Sequence, residues 1–304
     1  MIAISDAINR LSAGLGGGPA AKLAASALIE ADALGLSRFG IAMLDEWAAD
    51  AAPVPKSESQ QAISWRDCSS CFAPLAVAGA TLDLAEAARQ FGIAAVFLRG
   101  VKGFGRLAPF VRHLADAGFL GIAGAEGPPF VAAYGGTRPV IGTNPFALAM
   151  GQSTDRVVID AASSTATMAD IRNARVSGTP LPDGIALDGK GRPTRIAAEV
   201  AALLPRGGQI GSLLGLVVEL MAGIAGGGRG DPQGRGVFLL AFDPAGTEER
   251  IDWQAKLAAL KSDWTDGGGH WPRGGSVSPE AVLDSVFAQR LDGYLARMTG
   301  QTGR

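Results

Sequence analysis

Apolar positions recur at helical spacing along residues 19–36, PAAKLAASALIEADALGL, where Pro19 is placed to open a helix and Gly35 to close it. Residues 44–62 turn polar and proline-bearing and read as a surface connection. The helical period returns at Leu82–Phe91, closed by Gly92. It is followed at once by IAAVFLRG, a continuous apolar run whose length and bounding glycine fit a buried strand. A second pair comes in the same order, RLAPFVRHLADAG as helix and FLGIAGA as strand, and this alternation predicts an α/β core. From residue 139 the units shorten. FALAM and RVVIDAA read as short strands, and the turn-rich SGTPLPDGIALDGKGRPT contains a hairpin-type turn at DGKGRP. Residues 211–225 form a glycine-flanked helix, GVFLLAFDP a strand, and 279–298 a last helix with Ser278 before it and Pro279 as its first residue. The most apolar stretch, Ile210–Ala225, contains Glu219 and several glycines; it is short for a membrane span and predicts a buried helix.

One polar interruption stands out. In PVIGTNPFALAM, Gly142-Thr143-Asn144 sits between two prolines and directly before an apolar strand. The proline after Asn144 biases that residue toward extended backbone, and Gly142 can take angles denied to other residues. Such a knuckle fixes the directions of one hydroxyl and one amide, which suits a ligand. An ordinary turn between strands explains the same residues.

Composition narrows the classes. A chain of 304 residues can bury a substantial core, and a formal charge of −2 with no basic face argues against nucleic acid as a partner. Glycine is abundant (43 residues), aromatics are sparse, and MIAISDAINRLSAGL is unlike a signal peptide, so a cytoplasmic protein with no membrane segment is expected. Both cysteines lie in DCSSC, as Cys68 and Cys71, a spacing that serves a redox pair or half a zinc site. With only His113 and His270 available, a four-ligand zinc site would need carboxylates, so no metal site is assigned. Small residues around a helix start are the preferred reading of that stretch. No Gly-x-Gly-x-x-Gly follows a strand, so a standard Rossmann nucleotide site has no support. GIALDGKG lacks the Ser/Thr of a phosphate loop, RGD at 229–231 is read as chance, and neither a Gly-x-Ser-x-Gly elbow nor His-Glu-x-x-His occurs.

Taken in order, the pieces resemble one family, the type-2 malate/L-lactate dehydrogenases, which also holds ureidoglycolate, sulfolactate and diketogulonate enzymes and cyclic imino acid reductases. The resemblance is carried by ALIEADALGLSRFG, GIAAVFLRG, GFLGIAGAEGPP, PVIGTNPFALAM, VVIDAASST, GTPLPDGIALDGKGRPT, LLPRGGQIGSLLGLVVELMAG, GVFLLAFDP and HWPRGG, and it spans nearly the whole chain. It implies a non-Rossmann, mixed-sheet core binding NADH or NADPH at 63–275. A helical domain is built from 1–62 plus 276–304, and the assembly is a homodimer with the active site near the subunit interface. It also implies that Thr143 and Asn144 lie beside nicotinamide and substrate. The cofactor is contacted by Asp160, Ala161, Ala162, Ser163, Ser164 and Thr165 and by the helix start Gln209, Ile210 and Gly211. The physical reading agrees in kind, since small-residue turns and helix N-termini present N–H groups to phosphate. Ile210 stands where the family usually has lysine.

The catalytic positions depart from the family pattern. Phe39 fills the place of the proton-donating histidine and Met43 that of the carboxylate-holding arginine, while Val101, Lys102 and Gly103 replace a second histidine motif. The expected function is therefore an NAD(P)H-dependent reductase of a small 2-imino carboxylate, or less readily a 2-oxo carboxylate. Arg38, Phe39, Met43, Thr143 and Asn144 would contact the substrate, and Arg38 and Lys102 are the candidate catalytic cations. A catalytically silent relative that binds a nucleotide or a protein partner is the alternative.

Overall fold

The computed structural model describes residues 1–46, 61–230, 235–246 and 252–301. Most of the 44–62 connection and Asp231 of the RGD triplet lie outside them. In chain order the elements begin with β1 (Ile2–Ala3), α1 (Ile4–Gly14), α2 (Gly18–Ala33), β2 (Ile63–Asp67), α3 (Ala73–Phe91), β3 (Ile93–Arg99), α4 (Ala108–Asp116) and β4 (Leu120–Ala125). Then come β5 (Val131–Ala132), β6 (Pro139–Ile141), β7 (Phe146–Met150), β8 (Val157–Ala161), α5 (Met168–Ser177), β9 (Ala186–Leu187) and β10 (Ala202–Leu203). The series ends with α6 (Gln209–Val218), β11 (Val237–Phe242), α7 (Trp253–Asp266), β12 (Val282–Leu283) and α8 (Ser285–Gln301).

A six-stranded sheet in the order β2-β3-β11-β4-β7-β8 forms the centre; only β2 and β3 are parallel. This is the mixed, non-Rossmann sheet expected. Alternation within the strands explains how both faces are covered. On one face Ala94, Val96, Leu98, Val237 and Leu239 join α1, α2, α3 and α4 in a single core. On the other, Phe97 and Phe238 meet Val218 and Ala222 of the α6 segment. A four-stranded sheet, β6-β5-β10-β9, lies beside it, and β1 pairs with β12 to join the two ends of the chain.

Three expectations are corrected. The last helix starts at Ser285, not 279, because Val282 and Leu283 are drawn into the strand pair with β1 and Asp284 receives the Phe287 N–H as a helix cap. The 210–225 segment is not a buried helix. It runs as α helix to Val218 and as π helix over Glu219–Ala225, and it turns Gly211, Gly215, Val218 and Ala222 inward while Leu213, Leu216, Val217, Leu220 and Ile224 stay exposed. Small residues let its backbone approach the sheet, so the large apolar side chains are left on the outer face. Finally, Asn144 does not follow its pre-proline bias toward extended backbone: its φ is +33°, on the left-handed side that asparagine tolerates better than most residues.

Candidate functional site

The knuckle occupies the point where the chain leaves the small sheet at β6 and enters the large one at β7. Gly142 is packed against Gly127, where an added Cβ would come within 2.7 Å of backbone. Asn144 is wholly buried, and its Nδ2 donates to the Gly215 carbonyl at 2.9 Å and to Glu219 Oε2 at 3.0 Å. These two bonds to α6 and its π extension hold the unusual backbone. They leave the buried Asn144 Oδ1 without a partner, an acceptor that a folded protein seldom strands without purpose.

The second crossing between the sheets is the loop after β8. Ser163 donates both its N–H and its hydroxyl to the Thr143 carbonyl at 3.0 Å, so the two crossings are stitched together. Ser164 Oγ donates to the Ala166 carbonyl, and Thr165 Oγ1 to the carbonyls of Leu204 and Ile185. The hydroxyl protons that the sequence offers to a phosphate are therefore used inside the fold. Asp160 faces away from this loop: its carboxylate accepts the Ala108 N–H and pairs with Arg106 at 3.5 Å, and burial raises its pKa against the opposing pull of Arg106. Ala161 pairs with Phe146 in the sheet, and the Ala162 carbonyl receives Arg206 Nε.

Helix α6 closes the arrangement. Gly208, with φ +66°, precedes it, Gln209 and Ile210 stand exposed in its first turn, and Gly211 is pressed against the Arg206 carbonyl. Gly215 leaves room for Ser163 and Ile141. Arg206 itself is exposed beside the helix start, and Tyr134 borders Gly208 on the other side. Sequence reading missed both, although PRGGQIG displays the arginine.

A further group was invisible in the sequence because its members are far apart. Glu219, buried, pairs with Arg229 as well as with Asn144, and Glu126, also buried, accepts the Gly236 N–H at 2.8 Å. Burial raises the Glu126 pKa, reinforced by the neighbouring Glu219 after the Gly236 bond has pulled the other way. The Arg235 side chain lies along Gly127.

The residues standing in for the family's acid and anchor also meet. Phe39 ends a short 3-10 turn, Ser37–Phe39, and Met43 sits in the next, Ile41–Glu46. A Cβ on Gly105 would lie 3.3 Å from the Phe39 carbonyl and 3.5 Å from Met43 Sδ, and one on Gly103 3.6 Å from Met43 Cε. Arg38 and Lys102 are exposed and make no hydrogen bond or ion pair with any described residue. This group is joined to the knuckle through Val101, whose N–H donates to the Arg235 carbonyl, and so to Gly127 and Gly142. Neither histidine takes part. His113 is half-buried on α4, where burial lowers its pKa, and His270 is exposed in a loop.

A sequence profile of the malate/L-lactate dehydrogenase family matches residues 14–266. The chain belongs to that family. Among relatives of malate/L-lactate dehydrogenase type, the (2R)-3-sulfolactate dehydrogenase (NADP(+)) of Chromohalobacter salexigens is 34% identical over 247 residues, 74% of each chain. A Δ1-pyrroline-2-carboxylate reductase of Agrobacterium fabrum is 39% identical over 153 residues, 49% of this chain and 44% of its own. The match thus spans less than half the length of that reductase. The crystal structure of Δ1-piperideine-2-carboxylate reductase from Pseudomonas syringae superposes with a TM-score of 0.80 at 25% identity, covering 96% of this chain and 99% of the other. Family members of this kind are NAD(P)-dependent oxidoreductases, and the fold described above is theirs.

Proposed function

We propose that this chain transfers a hydride from NADH or NADPH to C2 of a small 2-imino carboxylate, with a 2-oxo carboxylate as the second choice. The observation that carries the reading is the meeting of Gly103 and Gly105 with Met43 and the Phe39 carbonyl: the two motifs that should supply a histidine come together, and neither brings an imidazole. A ketone needs a proton at the developing alkoxide, and a placed acid contributes about 10²–10⁴-fold to such a step. A protonated imine already carries the charge that accepts hydride, so its reduction tolerates an apolar wall. Reductases of two cyclic imino acids among the relatives support the same choice.

The residues fit a nicotinamide cofactor. The α6 N-terminus, with Gln209 and Ile210 exposed and Arg206 beside it, suits a phosphate. When bound, the dihydronicotinamide supplies the hydride. Thr143, Asn144, the 160–165 loop and Gln209–Gly211 hold it, and Arg206 stands in for the lysine missing at Ile210. Arg38 or Lys102 holds the substrate carboxylate, with Phe39 and Met43 shaping the pocket.

In the same reading the protein is cytoplasmic and a homodimer. Among the described residues no helix is long and apolar enough to cross a membrane. The outer face of α6 and its extension exposes Ile210 at 75% and Ile224 at 58%, with Leu213, Leu216, Val217 and Leu220 between them, an apolar face of the kind that marks an interaction surface. A second copy covering that face would set the interface beside the cofactor loop. Residues 1–62 plus 276–304 form the helical unit and 63–275 the core.

The test is a NAD(P)H oxidation screen with cyclic imino acids, 2-oxo acids plus amines, and 2-oxo acids alone, preceded by nucleotide titration on nicotinamide fluorescence. Imino acid turnover that weakens in Arg38→Ala or Lys102→Ala is expected. Turnover of plain 2-oxo acids at ordinary rates, undiminished in both variants, overturns the substrate and anchor assignments. Failure to bind either nucleotide overturns the reductase reading and favours a silent relative.

A further inference from the structure

The Cys68–Cys71 pair plays no part in the site above, yet its setting is specific. It lies in the turn between β2 and α3, and β2, α3 and β3 make the one parallel crossover of the large sheet. The Cys71 N–H donates to the Cys68 carbonyl at 3.0 Å, closing a turn in which the two Cα atoms lie within the reach of a disulfide. The Cys68 thiol donates to the Cys71 sulfur, so the two side chains face each other. Cys68 is buried and Cys71 half-buried, which gives the pair one inner and one accessible sulfur.

The turn is also locked to the loop that carries Lys102. The Cys68 N–H donates to the Arg99 carbonyl at 2.9 Å, and Asp67, which receives both donors of Ser69, pairs with Arg99 at 3.2 Å. Ser69, between the cysteines, packs so closely on Gly100 that a Cβ there would lie 2.8 Å from its N, Cα and Cβ. Gly100, at φ +71°, therefore has no freedom to carry a side chain.

We propose that Cys68 and Cys71 form a reversible intrachain disulfide, and that the disulfide stiffens the 99–105 loop bearing Lys102. With hydrogen peroxide as oxidant, the Cys71 sulfur attacks one peroxide oxygen as its thiol proton leaves, giving a sulfenic acid and expelling the other oxygen as hydroxide, which takes that proton to become water. The Cys68 sulfur then attacks the sulfenyl sulfur. The S–S bond forms, the Cys68 proton leaves with the departing hydroxyl as a second water, and two thiols have been oxidised by one peroxide. A dithiol reverses the change by exchange. Burial pushes the Cys68 thiol up to about 12 and raises Cys71 as well, so the reduced pair is not held as thiolate.

The experiment uses the full chain without nucleotide or substrate, so its outcome does not depend on the reductase reading. After hydrogen peroxide the intact mass falls by about 2 Da, the two thiol hydrogens, and dithiothreitol restores it. Cys71→Ser and, separately, Cys68→Ala abolish the loss. Hydrogen exchange across residues 99–105 slows several-fold in the oxidised form. An unchanged mass, oxygen adducts on Cys71 that dithiothreitol cannot remove, or identical exchange of 99–105 in the two states overturns the proposal.

Discussion

Thr143, Asn144 and Ser163 meet one another or α6 inside the protein, whereas Arg38 and Lys102 stand in solvent beside Phe39 and Met43. The first region is over-determined: strands of two sheets and a helix fix it, and its hydroxyls are used internally. What it leaves open to a cofactor is the exposed start of α6 with Arg206 beside it. The second region is a pair of short 3-10 turns against a glycine loop, and its Arg38 and Lys102 bond no described residue. On the proposed reading, hydride delivery depends on the first region and proton delivery on the second. The difference teaches that a scaffold can keep one half of a reduction while the other half is replaced, provided the substrate brings its own proton.

The strongest way to break that contrast is Asn144→Ala. It deletes a bond to a buried carboxylate, worth about 1.5–3 kcal/mol, and leaves alanine with left-handed backbone at about 1 kcal/mol more. Stability should fall by about 3 kcal/mol in urea titration. kcat/KM should drop by about 10²-fold, because a small misplacement of the cofactor cradle is enough for that. Wild-type turnover in this variant would show that the knuckle is an ordinary turn.

Glu30→Gln separates a structural buried acid from the site. Glu30 on α2 accepts from Arg106 at 2.9 Å and from Arg112, and Arg106 reaches on to Asp160 and the Gly274 carbonyl. The network ties α2, α4, β8 and the chain before α8 together. Removing its central carboxylate leaves two nearly buried guanidinium groups under-compensated, a loss of about 3 kcal/mol. Nucleotide affinity should stay unchanged, read by nicotinamide fluorescence; a parallel loss of affinity would place this network in the site.

How much of this was legible in the sequence follows from how local each signal is. The α4 and β4 pair was readable because apolar period and bounding glycine agree over a dozen residues. Helix α5 was not, since only Ile171 of its ten residues is buried; its Thr167–Asp170 capping box was the available signal. The exposed outer stripe of α6 was read as buried because hydrophobicity marks what avoids water, not which surface will cover it. Glu126, Glu219 and Arg229 sit in unrelated segments, and only the crossing of the two sheets brings them to Asn144. The resemblance supplied the positions of the cofactor loop; it could not show that the Asp160 side chain leaves it for Arg106.

A smaller effect sharpens the other side of the comparison. Phe39→His restores an imidazole where the family has its donor, against Met43 and the Gly103–Gly105 loop. Turnover of 2-oxo acids should rise by about 10-fold, at or below the low end of general acid catalysis because nothing here orients the ring. Imino acid turnover should hardly move. A gain on imino acids equal to that on 2-oxo acids would mean that both substrates lacked the same proton.

The smallest expected effect is in the pH dependence of stability, and its sign is informative. Burial raises the pKa values of Glu30, Asp32, Glu126 and Asp160 despite the arginines and N–H groups that pull the other way. A carboxyl with a raised folded pKa holds more proton in the folded than in the unfolded chain between the two values, so stability falls as pH rises through that window. The window opens at the unfolded carboxylate range, about pH 4, and extends upward. Asp67, Asp188 and Glu280 are exposed and hydrogen-bonding lowers their pKa values, so their contribution is lost only as pH falls below the ordinary range. Between about pH 7 and pH 5 acidification favours the folded state through the raised carboxyls and the unfolded state through His113, whose pKa burial lowers; in a His113→Gln background acidification should therefore hold or raise the urea midpoint, by about 1 kcal/mol at most. Glu30→Gln should flatten the trend. A midpoint that drops steadily over the same interval in the His113→Gln background would mean that Arg106 and Arg112 outweigh burial at Glu30 and Asp160. In that case the network between α2 and β8 is fully ionic, and the contrast with Glu126 beside the knuckle, whose pKa burial raises, becomes sharper still.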